Sequence, residues 1–180
     1  MVNKIRICGF GGQGILVAGE VLGMAAMIDG KNAVEVGSYG AEARGTITTS
    51  DVIISDEEIN FPLVDQCDIL IALCQQAFDI HKNKVSQNGI IIVDEELVKI
   101  PEEFEHKSIR IKATKIAEEK FNRITANMIV LGYLASKTRI VSIESLKNAV
   151  KERITKMVEI NMSAIEEGAK LAYKDIKEFK

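Results

Sequence analysis

The chain has 180 residues, 47% of them hydrophobic, with 23 Lys and Arg against 26 Asp and Glu and a formal net charge of −3. That length suits one α/β domain spanning 1–180, and the interspersed charges offer no basic face of the kind nucleic acid or an anionic membrane needs. No apolar run reaches the roughly 20 residues of a membrane span and no signal peptide stands at the start, so a reducing cytoplasm is the expected setting.

Taken in order, Val2, Ile5, Ile7 and Cys8 form an apolar run, followed by Gly9-Phe10-Gly11-Gly12-Gln13-Gly14 and then by Ile15 to Leu22. This reads as strand, glycine turn and helix, the helix carrying Ile15, Ala18, Leu22 and Ala25 on one face and ending near Asp29-Gly30. Ala33 to Val36 is a second short strand leading into the polar loop Gly37 to Gly45. Ile47 to Ile54 alternates apolar and hydroxyl residues as a partly exposed strand does. Beyond the break at Pro62, Cys67 to Leu73 reads as a buried strand and Gln75 to Val85 as a helix. Gln87-Asn88-Gly89 is a turn signal. Ile90 to Val93 is a strand whose end, Asp94-Glu95-Glu96, reads as solvated. Leu97 to Lys107 looks like surface, and Ile109 to Ile111 is a last short strand. The remainder is helical: Thr114 to Lys120, an all-round apolar Ala126 to Ala135, and one or two amphipathic helices over Ser142 to Tyr173, with Ser142 at an N-terminal start.

The apolar content is mostly Ile, Val, Leu and Ala, the filling of a buried parallel sheet between helices. The expected fold is therefore a three-layer, Rossmann-like, open and mostly parallel sheet flanked by helices, with a helical C-terminal region. On the last helix the inward stripe is Val150, Ile154, Met157, Asn161, Ile165, Gly168 and Ala172. Asn161 and Gly168 are out of character there. Either Gly168 permits close helix contact while Asn161 bonds a backbone group, or the two meet a partner subunit.

Glycines at 9, 11, 12 and 14 let the backbone turn sharply and come close to something else, at a helix end that attracts anions. Gly9-x-Gly11-x-x-Gly14 matches the dinucleotide fingerprint, but the acid expected to take the ribose hydroxyls is Glu35, in mid-strand rather than at the strand end. Three readings stay open: an NAD(P) site, structural packing with no ligand, or another anionic ligand such as a cofactor phosphate, helped by Arg44. Cys8, Cys67 and Cys74 each lie in or beside an apolar run and read as small buried hydrophobes. With His81 and His106 isolated, no metal site is expected. No nucleophile–base order and no paired carboxylates in an apolar setting point to catalysis by this chain alone.

Several segments in this order resemble the gamma subunit of the 2-oxoacid:ferredoxin oxidoreductases: GFGGQG at 9–14, GSYGAEARG at 37–45, Ile54-Ser55-Asp56, CDILIAL at 67–73 and GIIIVD at 89–94. Ala126-Asn127-Met128 with Leu131-Gly132, and Asn161 to Ala164 with Gly168, complete the set. The short length without a ferredoxin-like cysteine cassette resembles the separate gamma chain of a 2-oxoglutarate enzyme, or of the pyruvate and ketoisovalerate enzymes that share the domain. The resemblance implies a complex that oxidatively decarboxylates a 2-oxoacid and delivers the acyl group to coenzyme A. Thiamine diphosphate, Mg2+ and 4Fe–4S clusters would sit on alpha, beta and delta-type partner subunits, and electrons would pass to ferredoxin. It also implies that the isolated chain is inactive and that its binding residues are Gly9, Gly11, Gly12, Gln13 and Gly14, together with Tyr39, Gly40, Glu42, Arg44 and Gly45. The related beta subunit of indolepyruvate oxidoreductase and a free-standing NAD(P) enzyme are the alternatives. Where the family commonly has proline after Tyr-Gly and a second glycine after Arg-Gly, this chain has Ala41 and Thr46.

Overall fold

The computed structural model describes residues 1–38 and 46–178, with side chains to residue 173. The elements run β1 (Val2–Phe10), α1 (Ile15–Ile28), β2 (Asn32–Ser38), β3 (Ile47–Ser55), β4 (Cys67–Ala72), α2 (Gln75–His81), β5 (Val85–Asp94), β6 (Ser108–Ile111), α3 (Ala113–Lys120), α4 (Ala126–Thr138), α5 (Ile143–Arg153) and α6 (Val158–Glu178). One six-stranded sheet has the order β2-β3-β1-β4-β5-β6. The β1–β4, β4–β5 and β5–β6 pairs are parallel, whereas β3 is antiparallel to both β1 and β2. Only β3 is therefore reversed, which agrees with its link to β2 over 39–46, too short for the crossover a parallel pair needs.

The period-two alternation of β1 divides the core. Ile5 and Ile7 face a large cluster with α1, α3, α4, α5 and α6, while Cys8 faces a smaller one beneath α2. Arg6 shares that second face, buried yet satisfied: its Nε and Nη2 donate to Asp51 Oδ1 and Oδ2 at 2.7 and 2.6 Å, and Nη2 also donates to Val64 O at 2.7 Å. The two residues are register partners on adjacent strands, so the pair spans β1 and β3 directly. All three cysteines are buried, as the apolar runs around them imply.

The expected stretch Ala126 to Ala135 is buried throughout, and α4 packs against α6. Of the two readings of the α6 stripe, the structure supports intramolecular packing. A Cβ on Gly168 would lie 1.9 Å from Ile129 O, and Asn161 Nδ2 donates to Met157 O at 2.8 Å.

Several expectations are corrected. The stripe from Val150 to Ala172 is not one helix, because the chain leaves α5 at Ile154 and re-enters α6 after Met157. That residue takes φ +57° and is 39% exposed rather than inward. Gln87-Asn88-Gly89 lies inside β5, where the pairing to β4 slips between Cys67 and Ile69 and absorbs the polar residues as an irregularity. The helix expected to Val85 ends at His81 and tightens into a 3-10 turn over Lys82–Lys84. Asp94 is fully buried, not solvated: Oδ2 accepts Thr114 N at 2.7 Å and Oδ1 accepts Glu96 N at 3.1 Å, tying the end of β5 to the start of α3. Within 97–107, Val98 and Phe104 are buried, and Phe104 meets Phe78 edge-on at 6.0 Å.

Candidate functional site

The carboxyl ends of β1 and β4 part company at the centre of the sheet. The chain leaves β1 toward α1 and β2 on one side, and leaves β4 toward α2 and β5 on the other. In open α/β sheets ligands collect in such a crevice. The glycine turn lies across it and is held by bonds to three different elements. Gly11 N donates to Thr46 O at 3.1 Å, at the start of β3. Gln13 uses both ends of its amide: Oε1 accepts Phe10 N at 2.6 Å and Nε2 donates to Leu73 O at 2.8 Å, joining β1 to the end of β4. Asn127 Nδ2, from α4, donates to Gly14 O at 3.0 Å.

The backbone follows from these contacts. Gly12 has φ +98° and Gly14 has φ +70°, values that L side chains adopt only with strain. A Cβ at Gly9 would lie 2.6 Å from Gln13 Oε1, and one at Gly14 would lie 2.4 Å from Asn127 Nδ2. α1 starts without a side-chain cap and without an acidic residue in its first turn, so its positive end is not neutralised locally.

A cleft of about 730 Å³ opens beside this turn, lined by Phe10, Gln13, Leu73, Cys74 and Arg123 among others. A smaller one of about 260 Å³ shares Gln13, Leu73 and Arg123 and reaches Gly12 and Thr114. Arg123 also donates to Glu118 Oε1 at 2.9 Å from an exposed position. Burial pushes the Cys74 thiol up against the opposing pull of the Gln76 and Ala77 N–H groups, so it stays protonated at neutral pH. Cys67, at the far end of β4 from the cleft, is pushed up to about 11 by burial. Among the described residues no three of His, Cys, Asp or Glu gather into a metal-holding group.

Of the site residues expected from sequence, Gly9, Gly11, Gly12, Gln13 and Gly14 come together at this edge. Tyr39, Gly40, Glu42, Arg44 and Gly45 lie outside the described residues; the flanks of their loop, Ser38 and Thr46, sit at the same edge, with Thr46 bonded to the turn. Glu35, the acid of the dinucleotide reading, is turned to the α1 face, where its Oε1 accepts Ser50 Oγ at 2.5 Å. Gln13 bridges the two strand ends beside the open cleft. Glu35, engaged in mid-strand, is not placed to take a ribose at the strand end. Sequence reasoning gave no role to Leu73, Arg123 or Asn127, which reach the turn from far along the chain. Asn127 alone left a signal, as an amide at the head of an otherwise apolar helix.

Residues 4–171 match the family model described as pyruvate ferredoxin/flavodoxin oxidoreductase. The chain belongs to that family. Its similarity to the 2-oxoglutarate synthase subunit KorC of Methanocaldococcus jannaschii is 44% identity, covering 96% of this chain and 95% of that one. The ketoisovalerate oxidoreductase subunit VorA of Methanothermobacter marburgensis is 31% identical over 97% of this chain, which spans 37% of that protein. Among solved structures, the gamma subunit of a keto/oxoacid ferredoxin oxidoreductase from Geobacter sulfurreducens PCA superposes with TM-score 0.85 at 35% identity, covering 97% and 98% of the two chains. The family likeness thus covers nearly the whole sheet and both helical layers. No helix among the described residues is long and apolar enough to cross a membrane.

Proposed function

We propose that this chain is the gamma subunit of a multisubunit 2-oxoacid:ferredoxin oxidoreductase whose oxoacid is 2-oxoglutarate. The observation that carries the reading is the end-to-end likeness to KorC at 44% identity. The complex oxidatively decarboxylates the oxoacid, passes the electrons to ferredoxin and releases the acyl group as its coenzyme A thioester. Thiamine diphosphate, Mg2+ and the iron–sulfur clusters belong to the alpha, beta and delta-type partners and supply the chemistry of decarboxylation and electron transfer.

This chain contributes a binding edge. Within the turn Gly11 N and Gln13 N are already engaged by Thr46 O and Phe10 O, so what the turn presents is the uncapped start of α1, held in place by Gln13 and Asn127 before any ligand arrives. Such a rigid, positive end suits a coenzyme A phosphate or a carboxylate of a partner subunit. Arg44, in the stretch from Tyr39 to Gly45 that links β2 and β3 in sequence, would complete the contact bidentately. The engaged Glu35 speaks against a free-standing NAD(P) enzyme.

Co-expression with candidate alpha, beta and delta-type subunits tests the assignment: coenzyme A-dependent reduction of ferredoxin should run faster with 2-oxoglutarate than with pyruvate, ketoisovalerate or indolepyruvate. A preference for another oxoacid would move the complex to that branch. In the assembled enzyme, Arg44→Ala should raise KM for coenzyme A about tenfold with kcat nearly kept. An unchanged KM together with unchanged assembly would remove Arg44 from the site.

A further inference from the structure

At the sheet edge opposite the glycine turn, residues 56–66 carry the chain from the end of β3 to the start of β4 without helix or strand. Two inward residues pin this segment. Ile59 packs against the smaller core, and Val64 is buried in it with its carbonyl accepting the Arg6 guanidinium at 2.7 Å. Between them, Phe61 is 73% exposed and Leu63 is 59% exposed, flanking Pro62. The core beneath is already closed by Ile59, Val64 and Phe78, so these two side chains are presented outward on a fixed backbone. An exposed aromatic beside an exposed leucine, on a segment held at both ends, marks an interaction surface more than a tolerated accident.

The charged side chains of the segment itself are of one sign. Residues 56–66 hold Asp56, Glu57, Glu58 and Asp65 and no Lys or Arg. Asp56 pairs with the chain's N-terminal ammonium, whereas Glu57, Glu58 and Asp65 are exposed and make no ion pair among the described residues. Two copies meeting through this segment would bring like charges together, which disfavours self-pairing. Relatives such as VorA, of whose length this chain spans 37%, carry the same kind of domain in one polypeptide with further protein. The domain is therefore compatible with a permanent neighbour.

We propose that residues 56–66 dock a partner subunit of the same complex, seating Phe61 and Leu63 in an apolar pocket rimmed by Lys or Arg. This rests on the gamma-subunit reading above, and it places assembly on one edge of the sheet and ligand contact on the other. Aromatic anchors of this kind dominate interface affinity, with acidic neighbours setting the rate and salt dependence of association.

The test uses the full chain and the co-expressed larger subunits, one of them tagged. If the unaltered chain does not co-purify, the gamma-subunit reading fails and not merely this surface. If it does, Phe61→Asp with Leu63→Asp should weaken its affinity about 30-fold or more while the isolated variant melts at the same temperature. Affinity within about threefold of the original overturns the proposal. Should the double variant melt lower, Glu57→Lys with Glu58→Lys, which removes no apolar contact, decides: about tenfold weaker binding with a flatter salt dependence supports the surface, and unchanged binding overturns it. A homodimer of the isolated chain that the Phe61 and Leu63 substitutions abolish would also overturn it, since the occupant would then be a second copy.

Discussion

Glycine does two different jobs in this molecule, at the α4–α6 crossing and at the turn after β1. At the crossing, a Cβ on Gly132 would lie 2.0 Å from Ile165 O, and one on Gly168 would lie 1.9 Å from Ile129 O. Both obstacles are backbone of the opposite helix, which cannot step aside without parting the two elements. At the turn, the obstacles to Gly9 and Gly14 are side-chain atoms, Gln13 Oε1 and Asn127 Nδ2, which belong to the polar clamp of the candidate site. The first pair fixes how the fold closes. The second fixes where a functional edge holds its shape. A motif search gives both the same weight, but only the second is expected to be felt by a ligand.

The largest expected effect follows from the first pair. Gly132→Ala or Gly168→Ala should lower stability by about 3 kcal/mol in urea unfolding, because overpacking against backbone leaves no cheap relaxation. A loss below about 1 kcal/mol would mean that the helices slide easily and that the distinction fails. Next comes Gly14→Ala, where the αL backbone and the Asn127 amide both object; we expect a loss of about 2 kcal/mol. Adding Asn127→Ala should return roughly 1 kcal/mol of it, a coupling readable in a double-mutant cycle. Strict additivity would show that only the backbone angle matters. Gln13→Ala should cost about 1.5 kcal/mol, since Phe10 N and Leu73 O lose their shared partner.

The smallest effect lies away from both glycine sets. Burial lowers His81 from 6.5 to about 4, and its Nδ1 has no hydrogen-bond partner among the described residues. The unfolded chain takes up a proton near 6.5 while the folded one waits until about 4. Over that window the unfolded state binds more protons, so stability should fall as the pH is lowered through it, by on the order of 1 kcal/mol once solvent screening is allowed for. His81→Gln should flatten this part of the pH profile, and a profile unchanged by that substitution would assign the dependence to other groups.

How much of this was legible from sequence depended on the range of the cause. The turn Gly9 to Gly14, the buried run Ala126 to Ala135 and the Ser142 cap were readable because their signals are local: spacing, composition and a hydroxyl three residues before the N–H it accepts. The buried carboxylate of Asp94 was misjudged because one of its two partners, Thr114 N, is 20 residues away. The Arg6–Asp51 pair was invisible for the same reason, since nothing in an apolar run announces the strand that will lie beside it. At the site, the glycines were found but the clamp was not: Leu73 and Asn127 reach Gln13 and Gly14 from 60 and 113 residues away. Gln87 to Gly89 misled in the opposite sense, a turn signal that the sheet absorbed into β5.

The reversal of β3 has a metrical consequence for the ligand edge. In a dinucleotide fold β2 lies next to β1, so an acid at its tip reaches a ribose whose phosphates rest on the first helix. Here β3 is wedged between them. Adjacent strands lie about 4.8 Å apart, so the tip of β2 stands roughly 10 Å to the side of the glycine turn, twice the usual offset. No carboxylate at that tip could serve a nucleotide seated on α1. The extra strand therefore widens the distance between the glycine turn and the end of β2 by one strand spacing.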